Sequence, residues 1–69
     1  MKFYDWILRF QDVNLPIGDL ARDIKADQHF PKELSTWNEL QGHIGATNGP
    51  VYDTAKNAFN YFLAENHPQ

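Results

Sequence analysis

The chain contains no cysteine. That single absence removes disulfide staples, thiolate metal ligands and cysteine nucleophiles together. Serine is almost as scarce: Ser35 stands alone, and its place ahead of an amphipathic run marks it as a helix N-cap rather than the nucleophile of a hydrolytic triad. No apolar run approaches the ~20 residues of a membrane span, and Met1-Lys2-Phe3-Tyr4-Asp5 carries charge where a signal peptide needs its apolar centre. A cytoplasmic chain that keeps clear of the membrane is expected. Cations are few. Lys2, Arg9, Arg22, Lys25, Lys32 and Lys56 are scattered among nine acidic residues, and the net charge is −3. Only Lys2, Arg9 and Lys32 could gather on one side, so nucleic acid is a poor electrostatic match. The glycines, Gly18, Gly42, Gly45 and Gly49, show no phosphate-loop spacing, and no strand alternation or internal repeat occurs.

What is present is an abundance of aromatic rings. A chain of 69 residues can build one domain, residues 1–69. Its apolar burial contributes about 107 kcal/mol against about 104 kcal/mol of conformational entropy, so the core must be used efficiently. An aromatic content of 14% meets that need, because each ring buries a large area with few rotors.

Helical periodicity accounts for most of the chain. Phe3, Trp6, Ile7 and Phe10 fall at i, i+3, i+4 and i+7, giving a first helix over residues 3–10 with a heavy core face and a lesser strip at Tyr4 and Leu8. Gln11 to Leu15 has no period, and Pro16 then opens a second helix that ends near Asp27 or Gln28, its core face made by Ile17, Leu20, Ala21 and Ile24. Phe30, held extended by Pro31, is expected to plug the core. A third helix, capped by Ser35, places Trp37, Leu40 and Ile44 in one sector and runs to about Gly45. A turn-rich stretch leads to Pro50 and a final helix, with Val51, Ala55, Ala58, Phe59 and Phe62 along its buried stripe and Tyr52 and Leu63 on the flank. The tail after Glu65 has nothing to bury and is expected to fray. The fold class is all-α, a compact bundle of four or five short helices.

Chemistry-bearing clusters do not emerge from these positions. His29, His43 and His67 are too far apart to share a helix face, so no metal site and no cofactor are expected. His29 is assigned to the end of the second helix, where its imidazole can donate to the last carbonyls, and His43 to a half-buried packing role. Asp19, Asp23 and Asp27, four apart, form a solvated acidic ridge on the second helix rather than a catalytic carboxylate pair.

The aromatic opening Met1-Lys2-Phe3-Tyr4, the run Asp27-Gln28-His29-Phe30-Pro31-Lys32 closing the second helix, and the capped helix bearing Trp37 resemble the YozE-like family of small proteins from low-GC Gram-positive bacteria over nearly the whole chain. The resemblance implies a SAM-like fold and brings no catalytic residues. SAM-like domains in general serve as protein–protein or, in some cases, RNA-binding modules, though function does not follow from fold.

Two functional expectations result. The first is a non-enzymatic protein–protein interaction module, a monomer or weak homo-oligomer whose protein partner the sequence does not identify. Its candidate contact residues are the surplus apolar side chains Tyr61, about 120° from the centre of its helix's buried face, and Tyr4 with Leu8 on the first helix. The alternative is a nucleic-acid-binding helical module, against which the charge argues. An enzyme has neither the motif nor the interior it would need.

Overall fold

The 3.6-residue period is realised in four α-helices. A computed structural model describes residues 1–66 and contains α1 (Phe3–Ile7), α2 (Pro16–Ala26), α3 (Trp37–Ile44) and α4 (Pro50–Asn66), with one 3₁₀ turn at Leu8–Phe10. His67 and the remainder of the tail lie outside the described residues. α4 is the longest helix and the hub: α1, α2 and α3 each pack against it, while α2 also closes on the 3₁₀ turn.

Why α4 serves as hub follows from its stripe. Ala55, Ala58, Phe59 and Phe62 are buried, and the two alanines let neighbouring backbones come close while the two phenylalanines fill the centre. The Phe3 ring meets Phe59 at 5.2 Å and Phe62 at 5.4 Å, and Trp6 meets Phe62 at 5.7 Å, separations at which tilted and edge-on aromatic pairs attract. Leu20, Ala21 and Ile24 of α2, Leu40 of α3, and Phe30 close this core. Phe30 plugs it from a loop, as the following proline requires. Leu34, which belongs to no helical period, is also almost fully buried.

Several positions differ from the sequence reading, each for a local reason. The first helix tightens to 3₁₀ geometry at Leu8, which changes the angle per residue and leaves Phe10 half-buried against Trp6 rather than in the core. Trp37 and Ile44, at the two ends of α3, are also only half-buried. Val51 is 57% exposed because it faces the crevice that opens between α4 and α2, beside Leu20, rather than their contact. The N-cap of α3 is Thr36, not Ser35. Thr36 Oγ1 accepts from the Glu39 backbone N–H at 3.2 Å while Glu39 Oε1 accepts from the Thr36 backbone N–H at 3.1 Å, and Ser35 adds its own N–H to the same carboxylate. His29 lies beyond the end of α2, exposed, and its backbone N–H rather than its imidazole makes the local bond, to Asp27.

Gly45 and Gly18 each stand where the geometry demands glycine. Gly45 ends α3 at φ +78°, the left-handed conformation of a helix C-cap, and its N–H returns to the Gln41 carbonyl. Gly18, buried inside α2, lies where a side chain would run into the carbonyls of Val13 and Phe10. The missing Cβ is what lets α2 pack on the 3₁₀ turn.

Candidate interaction surface

The loop after the 3₁₀ turn, the first turn of α2 and the last turns of α4 enclose a groove of about 360 Å³. Trp6 and Phe10 lie at its base, Val13, Leu15 and Ile17 form one wall, and Tyr61 and Glu65 form the other. The groove is built on a rigid support. Trp6 is 1% exposed, and its indole N–H donates to the Glu65 carboxylate, tying α1 to the end of α4. Arg22 braces the loop wall, donating to the carbonyls of Gln11 at 2.7 Å and Val13 at 3.4 Å while pairing with Asp19.

Two side chains stand out on the rim. Tyr61 is 66% exposed and Leu15 62%, so the helical phase that turned Tyr61 away from the core is correct. Leu15 occupies the N-cap of α2, where no side-chain bond is made and where Asn, Asp, Ser or Thr would stabilise the helix by about 1 kcal/mol relative to an apolar residue. An apolar residue at a capping position, left in water, breaks two local rules at once, and functional sites are where such violations are expected.

Tyr4 and Leu8, grouped with Tyr61 as candidate contacts, do not join it. Neither lines the groove, and both are half-buried against the core. The Tyr4 ring lies 5.8 Å from Phe30 and under the Lys32 ammonium at 5.4 Å, so the loop after α2 covers Tyr4, while Leu8 packs on the core from the 3₁₀ turn. Conversely, Val13, Leu15 and Glu65 belong to the surface but escaped the periodic reading, and Ile17, assigned by its period to the core face of α2, is half-buried in the groove wall. Leu15 was detectable in principle as an apolar residue directly before the helix-opening Pro16. Glu65 carried no signal, because its role depends on Trp6, 59 positions away.

From this groove an apolar crevice continues between α2 and α4. Pro16, Ile17 and Tyr61 lead to Thr54, then to Leu20 and Val51, and finally to Phe30 and His43. At its far end His43 Nε2 meets Asp27 Oδ2 at 2.6 Å and the imidazole stands edge-on to Phe30. The His43 bond, and then the His29 backbone N–H, hold the Asp27 carboxyl below its ordinary value. Among the described residues no three His, Asp or Glu side chains are arranged to hold a metal ion.

A sequence profile described as the YozE SAM-like fold matches residues 2–65. The chain belongs to this family. The match takes in every element of the YozE SAM-like fold seen here, from α1 through Glu65, and so includes the whole groove. No curated protein and no solved structure matches the chain. For this YozE SAM-like domain, then, function has to be argued from its surface. No helix among the described residues is long and apolar enough to cross a membrane.

Proposed function

We propose that this YozE SAM-like domain is a non-enzymatic protein–protein interaction module of the cytoplasm, and that the groove around Tyr61 is the surface it offers a partner. One observation carries this reading: Tyr61 and Leu15, two of the most exposed large apolar side chains, line the same preformed groove over a rigid tryptophan base. The groove offers little to catalysis. Its ionisable lining groups are Tyr61 and Glu65, and the latter already accepts from Trp6, so no nucleophile has a neighbouring base. The lack of cysteine suits a reducing compartment.

Nucleic-acid binding is the weaker reading, since Lys2 and Lys32, two of the three cations that could gather into a footprint, are engaged within the chain, as are Arg22 and Lys56. Lys2 pairs with Glu33 at 2.6 Å, Arg22 with Asp19, and Lys32 and Lys56 sit over the rings of Tyr4 and Trp37. A photoreactive residue separates the two. Tyr61→p-benzoylphenylalanine, expressed in the cell of origin and irradiated, is expected to yield a discrete protein adduct that the same residue at exposed Asn38 does not. A nuclease-sensitive adduct, or none, would overturn the proposal.

A further inference from the structure

Resting on the reading just given, we infer that the partner element is a cationic amphipathic helix of three to four turns, seated along the crevice between α2 and α4 with its apolar face over Tyr61, Ile17 and Leu20. The first observation is shape. The crevice follows α2, whose 11 residues span roughly 16 Å, the length of about three helical turns. It lies between two helices, and no strand edge occurs among the described residues, so an extended peptide finds no backbone template while a helix ridge finds a groove.

The second observation is charge. The carboxylates along the crevice and its groove are Asp19, Asp23, Asp27 and Glu65, and no lysine or arginine lines either. Asp19 is paired with Arg22, Asp27 with His43, and Glu65 accepts from Trp6. Asp23 pairs with no cation among the described residues, and Glu65 retains a second oxygen. An apolar floor edged by carboxylates complements a helix whose apolar stripe is flanked by lysine or arginine. The same edge disfavours the other occupants. A second copy of this net-acidic chain would bring the same carboxylates against it, and phosphate-bearing surfaces, nucleic acid or anionic lipid, would be repelled.

The test uses the whole chain, ¹⁵N-labelled, titrated with three synthetic 15-residue helical peptides that share a leucine face and differ only in flanking Lys, Gln or Glu. The Lys peptide is expected to shift the amides of Leu15, Ile17, Leu20 and Tyr61, and to bind at least tenfold tighter than the Glu peptide. Raising salt to 0.5 M should weaken it severalfold, Asp23→Asn about two- to fivefold, and Tyr61→Ser about tenfold or more. Equal binding of the Gln or Glu peptide in the crevice would overturn the cationic assignment and leave the docking function standing. Shifts confined to other surfaces, or none from the Lys peptide at 1 mM, would overturn the assignment as well, whereas the docking function itself answers to the cross-linking at position 61.

Discussion

Gly18→Ala sets helix propensity against the packing that shapes the groove wall. In an ordinary helix interior the added methyl would stabilise by about 1 kcal/mol. Here a Cβ would overlap the Val13 carbonyl oxygen, lie 2.8 Å from its carbon and reach 3.1 Å from the Phe10 oxygen. These are backbone atoms that no rotamer change can move, so the loop would have to retreat by roughly an ångström. Retreat strains the 3.0 Å bond from the Val13 N–H to the Phe10 carbonyl and the Arg22 bonds to Gln11 and Val13. Overpacking of this kind costs about 1–3 kcal/mol; with the loosened bonds added, the loss exceeds the propensity gain by about 2 kcal/mol. For so small a domain that lowers Tm by roughly 10 °C. Gly42→Ala is the internal control. It lies inside α3 with nothing within 4 Å of the new Cβ, so it should gain about 0.5–1 kcal/mol and raise Tm by about 4 °C. Thermal melts followed by circular dichroism decide between them. A Gly18→Ala variant melting at or above the wild type would refute the claim that close approach requires this glycine.

Other consequences are open to the same melts. Thr36→Ala should lower Tm by about 4–8 °C through loss of about 1 kcal/mol of capping, while Ser35→Ala stays near the wild type; an equal or larger loss from Ser35→Ala would contradict the assignment of the cap to Thr36. Phe59→Ala empties the centre where Phe3, Trp37 and Phe62 meet and should cost about 3–5 kcal/mol, much of the stability of such a domain. A cooperative, native-like melt of that variant would contradict the core assignment. Acid should destabilise through Asp27, held low by His43 and His29, and Glu39, held low first by the Ser35 N–H and then by the Thr36 hydroxyl. Because both folded-state values lie below the unfolded ones, their contribution is present above about pH 4 and is lost as pH falls through the folded values. Urea midpoints of an Asp27→Asn, Glu39→Gln double variant should therefore fall less steeply below pH 4 than those of the wild type; parallel slopes would rule this out.

How much of this was legible in the sequence differs by kind of contact. The four helices were, because Phe3, Trp6 and Ile7, then Leu20 and Ile24, then Ala55, Ala58, Phe59 and Phe62 repeat at helical spacing and are buried together. So was the exposure of Tyr61, which depends only on its angle around α4. Leu34 was not, since it is buried from a loop, where burial depends on what folds over it. Val51 was misplaced because periodicity fixes a face but not where a crevice opens along it, here between α4 and α2. Thr36 and Ser35 are both competent caps, and the Glu39 carboxylate bonds to the N–H of each; only the bond from the Glu39 N–H to Thr36 Oγ1 shows which residue begins the helix. The groove was the least legible part. Its wall comes from the aperiodic stretch before Pro16, its base from Trp6, and its far side from α4, three segments that only the fold brings together.

The docking role of Tyr61 is tested most directly by comparing wild type and Tyr61→Ser for retention of the partner cross-linked at position 61, with Tm measured on the same preparations. At 66% exposure the ring adds little to the core, so Tm should stay within a few degrees, while retention should fall about tenfold or more if the ring is a buried anchor of the complex. Undiminished retention would remove Tyr61 from the interface, and a Tm loss of the size expected for Phe59→Ala would place the ring in the core instead.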